Sequence, residues 1–228
     1  MNGTVKIYLG EFALSSYAHA IYADTHEADE RAIVARNLAP DDVVLEIGAG
    51  IGIVSLACCR IAGSDRVHVC EANARLEPIL RRNFALNNFA PELIMGLVSL
   101  DSGTQEFYVS DRFIMSSRYA PAQVECESVQ KKVLPTVPLN GLIERIRPSF
   151  LIMDVEGAEV DLMDPRVILT SVRKICMETH PHIVGDEAVT KLVQSMQTRG
   201  FRLRWSESRN HVLFFERDLQ GDATRKIC

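Results

Sequence analysis

The sequence predicts an α/β protein with a mostly parallel sheet, helices on both faces and an antiparallel hairpin at its C-terminal end. Three observations lead to this fold class. Short apolar segments rich in β-branched residues occur without polar alternation, which is typical of buried parallel strands. Segments with apolar residues at helical spacing separate them, and strands that alternate with helices form right-handed crossovers in a sheet covered on both faces. A glycine-rich turn joins the first strand to the helix that follows it.

Five segments have the composition of buried parallel strands, since each is short and mostly apolar. They are VVLEIG (43–48), VHVCEA (67–72), LIMGLV (93–98), FLIMDV (150–155) and KICMET (174–179). Helical spacing predicts helices at IGIVSLACCRIAG (51–63), RLEPILRRNFALNN (75–88) and GDEAVTKLVQSMQTRG (185–200). In the last of these, we expect Asp186 to be the N-cap and Gly200 to follow the C-terminus. A further helix is expected to start near Thr25.

Other parts of the chain do not follow this alternation. FRLRWSES and HVLFFER, within residues 201–217, are separated by turn residues and predict the antiparallel hairpin. Residues 101–149 are interpreted as an insertion that shapes the substrate pocket, with an extra hairpin near the carboxyl edge of the sheet. Residues 1–23 are interpreted as a flap and residues 218–228 as a tail. The whole chain is therefore expected to be one domain.

The composition is that of a globular chain that can bury a core. Hydrophobic residues make up 47% and charged residues 24% of the 228 residues. The formal net charge of −5 argues against a nucleic-acid backbone or an anionic membrane as the main partner. No apolar run reaches the ~18 residues of a membrane span, and the start of the chain lacks a signal-peptide pattern. We therefore expect a cytoplasmic protein with no nucleic-acid and no membrane partner. The sequence does not indicate an oligomeric state.

The six cysteines contain no CxxC pair. Four of them fall in predicted helices or apolar strands, which favours reduced, buried thiols in a cytoplasmic protein. A zinc site or a disulfide is the alternative.

The turn VVLEIGAGIG places Gly48, Gly50 and Gly52 between the first strand and the following helix. Glycines there allow a tight turn and let a ligand approach main-chain N–H groups at the helix N-terminus. Glu71 ends the second strand, 19 residues after Gly52, where a carboxylate can accept hydrogen bonds from both hydroxyls of a ribose. Together these residues predict a pocket for an adenosine-containing ligand beyond the carboxyl ends of the strands.

Charge indicates which adenosine ligand this pocket binds. A dinucleotide-binding turn has a third glycine at the position that Ile53 occupies here, which disfavours a nicotinamide-dependent oxidoreductase. Glu46, two residues before Gly48, would repel a pyrophosphate but suits the ammonium and sulfonium charges of S-adenosylmethionine. The alternative for Glu46 is that it caps a neighbouring helix. Further contacts to this donor are expected from Ala72, Val98 and Ser99 at the adenine and from Glu27, with His26, at the amino-acid end.

The combination resembles the class I S-adenosylmethionine-dependent methyltransferases. FLIMDVEGAEVDLM (150–163) is similar to the characteristic segment of their FkbM family, a fourth strand that runs into an Asp-x-Glu-Gly-x-Glu turn. The other matching segments are THEADE, EIGAGIG, CEANARLEPILRRNFALNN and VPLNGLIERI, so the resemblance covers residues 22–180. Family members commonly carry Asp in place of Glu46 and Asn in place of Ile51. The resemblance implies a Rossmann-like class I methyltransferase fold with a seven-stranded sheet.

The resemblance also implies the reaction, which is O-methylation of a small-molecule acceptor such as a sugar, a polyketide or another secondary metabolite. An N-methyltransferase is the alternative with the same fold, and it would need less help with deprotonation of the acceptor. A domain that binds the donor without catalysis is a further alternative.

Three polar residues at the ends of two strands are the candidate catalytic group. Asp154 ends the fourth parallel strand, and Glu178 and His180 end the fifth, on one face because strand side chains alternate. A hydroxyl acceptor must lose its proton to a base or to a metal-bound site. In the favoured scheme His180 or Asp154 is the general base, with Glu178 among the orienting groups. In the other scheme all three bind a divalent metal ion such as Mg²⁺.

Two more carboxylates follow Asp154 in the same turn. Gly157 permits the turn into the next helix, and Glu159 is expected to stabilise the first helical turn through the helix dipole. Glu156 is expected either to hold this loop or to contact the acceptor.

Overall fold

The structure is a computed structural model that describes residues 5–10, 16–110 and 129–217. Within these ranges the strands are β1 (Val44–Ile47), β2 (Val67–Glu71), β3 (Glu92–Met95), β4 (Leu97–Ser99), β5 (Thr104–Ser110), β6 (Val129–Pro138), β7 (Phe150–Met153), β8 (Lys174–Glu178), β9 (Arg202–Leu203) and β10 (Val212–Glu216). The helices are α1 (Ser16–Tyr22), α2 (Ala28–Asn37), α3 (Ile53–Ala62), α4 (Glu77–Leu86), α5 (Leu139–Ile146), α6 (Glu159–Leu162), α7 (Pro181–Val184) and α8 (Asp186–Thr198). Parts of the expected flap and insertion, and the expected tail, lie outside the described residues.

The main sheet has seven strands in the order β3-β2-β1-β7-β8-β10-β9. The first five of these strands pair in parallel, and β10 pairs antiparallel with both β8 and β9. This topology confirms the predicted fold class, including the antiparallel hairpin at the end of the sheet. The carboxyl ends of β1, β2, β7 and β8 therefore meet at one edge, and the start of β10 lies beside them.

Alternating side chains divide the core into two layers. On one face of the sheet, Val44 of β1 and Phe150 of β7 pack with residues of α2, α3 and α4. On the other face, Leu45 and Leu151 pack with residues of α5, α6 and α8. Each central strand is thus buried on both sides, which is why its sequence is apolar without a period of two.

The expected third strand is interrupted at Gly96. Residues 92–95 form β3 beside β2, whereas residues 97–99 leave the main sheet and pair in parallel with β6 in a second sheet of order β4-β6-β5. A side chain at Gly96 would lie 2.7 Å from Val137 Cγ2, so the crossing point has no room for one. The prediction of one continuous strand over 93–98 is therefore wrong. The β5–β6 pair is antiparallel and occupies part of the 101–149 region.

Two helix starts differ from the prediction by a few residues. The N-cap of α8 is Gly185, at φ 85° and ψ 154°, so Asp186 is the first helical residue rather than the cap. There its carboxylate still lies at the positive end of the helix dipole. Helix α2 starts at Ala28, after Glu27 in the left-handed region at φ 49°.

Cys58, Cys59, Cys70 and Cys176 are buried and free, as predicted; Cys126 and Cys228 lie outside the described residues. Burial raises the pKa of Cys59 and of Cys70 to about 12, so these thiols stay protonated. In the described ranges, no helix combines the length and the apolar character that crossing a membrane requires.

Candidate active site at the carboxyl edge of the main sheet

A cavity of about 430 Å³ lies at the carboxyl edge of the main sheet. Its walls come from the N-terminal turn of α2, the loops that follow β1, β2, β7 and β8, the loop before β10, and two strands of the second sheet. This is the crevice in which open α/β sheets bind their ligands. Its volume suits a ligand of nucleoside size with a side chain.

The turn after β1 forms the floor of the cavity, and Gly48 is essential to it. Gly48 has φ +86°, and a Cβ there would lie 1.7 Å from the main-chain oxygen of Asp154. The loops after β1 and β7 therefore touch through their backbones. Asp154 N also donates to Ile47 O at 3.0 Å, which fixes the distance between the two loops.

Glu71 lies where the sequence predicted, at the tip of β2 facing the glycine turn. Its Oε2 accepts a hydrogen bond from Gly50 N at 3.0 Å, and its Oε1 accepts one from Asn73 N at 2.7 Å. Burial raises the pKa of Glu71 to about 7, although these backbone N–H groups favour the charged form. Gly48, Gly50, Glu71 and Ala72 all line the cavity.

Gly52 has a different role from the expected one. It is the N-cap of α3 at φ 86° and is not part of the cavity wall. A Cβ at this position would lie 2.9 Å from Leu80 Cδ2 and 3.1 Å from Phe84 Cε1. The structure thus requires glycine here for the packing of the turn against α4.

Glu46 also lies behind the cavity wall rather than on it. Its side chain is buried, and its Oε2 accepts a hydrogen bond from Ser55 Oγ of α3 at 2.5 Å. Burial raises the pKa of Glu46 to about 8. This geometry corresponds to the alternative in which Glu46 serves a neighbouring helix, and it provides no direct contact to a ligand in the cavity.

The negative charge that the sequence assigned to Glu46 is supplied by other residues. The carboxylates on the cavity wall are those of Glu27, Asp29, Glu30, Glu71, Asp154, Glu156 and Glu178. Among the described residues, the wall contains no lysine and no arginine. Such a cavity repels a pyrophosphate and attracts a cationic ligand. Glu27 contributes an Oε2 that is buried and has no hydrogen-bond partner in the described part of the chain.

Glu30 is a buried acid that the sequence reasoning missed. It projects from α2 and forms a hydrogen bond with the side chain of Glu178. Burial, followed by this bond and the charge of Glu178, raises the pKa of Glu30 to about 8. The spacing of Glu27 and Glu30, three residues apart on one helix, was the available signal.

Asp154, His180 and Glu159 form a chain of contacts at the end of β7 and β8. His180 Nε2 lies 3.5 Å from Asp154 Oδ1, and its Nδ1 lies 3.2 Å from Glu159 Oε1. Asp154 is 32% exposed and lines the cavity, whereas the His180 side chain is only 6% exposed and lies behind it. Burial raises the pKa of Asp154 well above its usual range, and Glu178 and Glu156 add to the rise.

Glu159 binds both loops of this site. Its carboxylate is fully buried and accepts hydrogen bonds from Gly157 N at 2.9 Å and from His180 N at 2.9 Å, besides its contact with Nδ1. Burial would lower the pKa of His180, but the hydrogen bond and charge of Glu159 reverse this and raise it. The main contacts of Glu159 are therefore to these two loops, which the expected helix-stabilising role did not include.

Glu156 occupies the turn that Gly157 continues. It adopts φ 51° and Gly157 adopts φ 96°, so two successive residues lie in the left-handed region. Glu156 Oε2 lies 3.5 Å from His180 Nε2, and burial raises the pKa of Glu156 to about 7. The Asp-x-Glu-Gly-x-Glu turn thus directs all three of its carboxylates towards one imidazole.

One wall of the cavity is apolar. Val98 of β4 and Phe107 of β5 line it beside Ala72, and Phe107 is buried. Ser99 is half-buried and does not line the cavity. The sequence reasoning missed Phe107, because the pairing of β5 with β6 in the second sheet is a long-range contact.

Comparison with family models gives a match of residues 14–124 to the TRM5/TYW2 methyltransferase domain. Comparison with curated proteins gives no significant match. Solved structures with a similar course of the chain include precorrin-6y C5,15-methyltransferase from Geobacter metallireducens, with 15% identity, a TM-score of 0.47 and coverage of 83% of this chain and 84% of that one. P. horikoshii TYW2 in complex with MeSAdo has 14% identity, a TM-score of 0.43 and coverage of 82% and 60%. The M. jannaschii tRNA m1G37 methyltransferase has 14% identity, a TM-score of 0.43 and coverage of 84% and 47%.

These findings correct two expectations. The expected membership in the FkbM family is wrong, because the family model that matches is the TRM5/TYW2 methyltransferase domain. The expected exclusion of nucleic acid as a partner is wrong as well, because the same family match contradicts it. That expectation was based on the net charge, which describes the whole chain, whereas recognition depends on the charges that face the partner.

Proposed function

We propose that this chain, an S-adenosylmethionine-dependent methyltransferase with the class I fold, methylates a base of an RNA, with tRNA as the first acceptor to test. The observation that carries the proposal is the match of residues 14–124 to the TRM5/TYW2 methyltransferase domain. The matched range contains the glycine turn, Glu71 and the apolar wall with Phe107. It therefore includes most of the donor side of the cavity.

The residues present fit the donor. Glu71, Val98 and Phe107 line the cavity, where Glu71 would accept hydrogen bonds from ribose hydroxyls and the two apolar side chains would face adenine. The unpartnered Oε2 of Glu27 and the surrounding carboxylates favour the ammonium and sulfonium charges. The donor supplies a methyl group that its sulfonium has already activated for an in-line displacement.

The acceptor atom would lie at the Asp154 end of the cavity. Of Asp154, His180 and Glu159, Asp154 is the partly exposed residue. Its raised pKa lets it hold a proton at a pH where an exposed carboxyl cannot. His180 lies behind it, oriented by Glu159. We propose that these residues take up the proton that a ring N–H or a hydroxyl must lose before or during methyl transfer.

The acidic wall limits how an RNA can enter. Phosphates are repelled by the cavity carboxylates, so the sugar–phosphate backbone must stay outside while a base reaches Asp154. A base does this when it is unpaired or flipped out of its stack. We therefore expect acceptors in loops rather than in continuous duplex.

The proposal is tested with S-adenosylmethionine labelled in its methyl group and a set of unmodified tRNA transcripts. We expect label in the RNA with the wild type and a loss of at least about 100-fold with Asp154→Asn, in the range typical of acid–base groups. Glu144→Gln, an exposed acid on α5, serves as a matched control and should retain transfer. Binding of S-adenosylhomocysteine is measured in parallel for each variant.

The result that would overturn the acceptor assignment is specific. If the wild type binds S-adenosylhomocysteine and transfers label to a hydroxyl-bearing metabolite pool, but to none of the transcripts, RNA is not the acceptor.

A further inference from the structure

The ends of β7 and β8 bring two carboxylates and an imidazole to one point. Ligand atoms of Asp154, Glu178 and His180 all lie within 4.8 Å of one another. A single divalent cation contacts oxygen and nitrogen ligands at about 2.0–2.6 Å, so two of its ligands are at most about 5 Å apart. The three side chains therefore already lie at distances that one ion can bridge.

The imidazole is oriented as a metal ligand is. Its Nδ1 lies 3.2 Å from Glu159 Oε1, and Glu159 is fully buried, so Nδ1 carries the proton and donates it. The other nitrogen, Nε2, points at the cluster, 3.5 Å from Asp154 Oδ1 and from Glu156 Oε2. Histidines that ligate metals almost always donate their second N–H to a carboxylate or carbonyl in this way.

Asp154 supplies an independent observation. Its Oδ1 is buried and accepts no hydrogen bond from the described part of the chain. Buried polar atoms without a partner are rare, and an ion or a water is the usual explanation. The same oxygen is the one that faces His180 Nε2, so the unsatisfied lone pair points into the cluster.

The fourth side of the cluster is also acidic. The side chain of Glu30 forms a hydrogen bond with Glu178, so a further carboxyl group borders the cluster. Asp154 and Glu178 line the cavity, which leaves one side of the cluster open to a ligand. An ion held there would reach the acceptor atom directly.

We propose that Asp154, Glu178 and His180 bind one divalent cation, of the Mn²⁺ or Mg²⁺ type, which contacts the acceptor atom in the cavity. Two carboxylates with one imidazole suit Mn²⁺ better than Mg²⁺, which prefers oxygen alone. The contact with the acceptor rests on the proposed function, whereas cation binding does not. With the ion bound, Asp154 would be a ligand rather than the proton acceptor, and the ion would lower the pKa of the acceptor group so that its proton passes to bulk water.

The binding test uses Mn²⁺, because free Mn²⁺ in solution is measured directly by electron paramagnetic resonance. The full chain is stripped with EDTA, exchanged into chelator-free buffer, saturated with S-adenosylhomocysteine and titrated with Mn²⁺. We expect one Mn²⁺ per chain, and an affinity at least about 10-fold weaker for Glu178→Gln and for His180→Ala, since substitution of even the partners of metal ligands costs about 10- to 100-fold. Glu144→Gln, which changes an exposed acid on α5 outside the cluster, is the control and should keep the wild-type Mn²⁺ affinity under the same conditions.

Folding of each variant is checked by its binding of S-adenosylhomocysteine. Absence of stoichiometric Mn²⁺ binding in the wild type would overturn the proposal, and so would an unchanged affinity in Glu178→Gln. Methyl transfer to tRNA is then measured with EDTA and after Mn²⁺ is restored. Mn²⁺ binding without RNA methylation contradicts only the acceptor assignment, and full transfer in EDTA contradicts only the role of the cation.

Discussion

Glu159 determines the charge state of His180. The imidazole is buried, and burial disfavours its charged form, yet its pKa is raised because Glu159 accepts its Nδ1–H and adds a full negative charge. Glu156 adds a second charge at 3.5 Å from Nε2. Without a bound cation, Glu159 and Glu156 therefore keep a proton on His180, behind Asp154, at a pH where an ordinary histidine has lost it.

Glu159→Gln is expected to lower the pKa of His180. The amide can still accept the Nδ1–H, but the charge that favours the imidazolium is lost while burial remains. His180 then loses its proton at a lower pH than in the wild type, as measured by NMR titration of the histidine ring resonances. Glu187→Gln, an exposed acid paired with Lys191, is the control and should leave this titration unchanged. An unaltered His180 pKa in Glu159→Gln would contradict the assignment.

Glu30→Gln is expected to reduce the pH dependence of stability. The pKa of Glu30 rises from 4.5 to about 8 on folding, so the folded chain binds more protons, and this contribution to stability is lost between pH 4.5 and about 8. Glutamine mimics the protonated side chain at every pH. The melting temperature of the variant should therefore fall less between pH 6 and pH 8.5 than that of the wild type. We expect the two falls to differ by several degrees, since 1 kcal/mol corresponds to about 2–4 °C. Equal falls in both proteins, measured without ligand, would refute this.

At the scale of elements, the loops after β1 and β7 behave as one structure. Gly48 lies so close to the main chain of Asp154 that a Cβ would overlap its oxygen. The glycine turn after β1 and Asp154 are consequently held together by backbone contacts, and side-chain packing is not needed to set their separation.

Gly48→Ala is expected to destabilise the fold by several kcal/mol, since it combines a positive φ with an overlap at 1.7 Å. Binding of S-adenosylhomocysteine should be lost with it. Gly141→Ala is the matched control: Gly141 lies inside α5, a methyl group added there would have nothing within 4 Å, and alanine should stabilise by about 0.5–1 kcal/mol. Urea unfolding measures both changes, and a wild-type midpoint for Gly48→Ala would disprove the argument.

The order of elements was predictable because each central strand and its helix carry a local pattern. Glu71 and Asp154 were located correctly for the same reason, since each directly follows a strand whose end the sequence marks. Glu46 and Gly52 lie off the cavity wall, which no local pattern indicates, because their surroundings depend on α3 and α4 packing over the turn. The break at Gly96 depends on Val137, about forty residues later in the chain, and no local pattern reports such a contact.

At the scale of the whole molecule, charge is distributed unevenly. The chain carries a formal net charge of −5, and the cavity wall concentrates carboxylates with no described lysine or arginine among them. Selectivity for a cationic donor over a dinucleotide therefore does not depend on Glu46 alone. It is a property of the edge at which α2, β2, β7 and β8 meet.

S-adenosylmethionine and S-adenosylhomocysteine are expected to raise the melting temperature, and NAD is not. A ligand at 100 times its dissociation constant stabilises by about 2.7 kcal/mol, which corresponds to roughly 5–10 °C for a domain of this size. Glu71→Gln should reduce the shift for both sulfur ligands, because it weakens the acceptor for the ribose hydroxyls. A shift with NAD equal to that with S-adenosylhomocysteine would contradict the charge argument.

The shared carboxylate of Glu159 also has a consequence for local unfolding. Its two oxygens hold the amides of Gly157 and His180, which belong to loops that are far apart in sequence. Either amide must leave this one anion before it exchanges with solvent deuterium, so we expect the two to have similar protection factors, as parts of one cooperative unit. The segments after β7 and β8 would then open and close together.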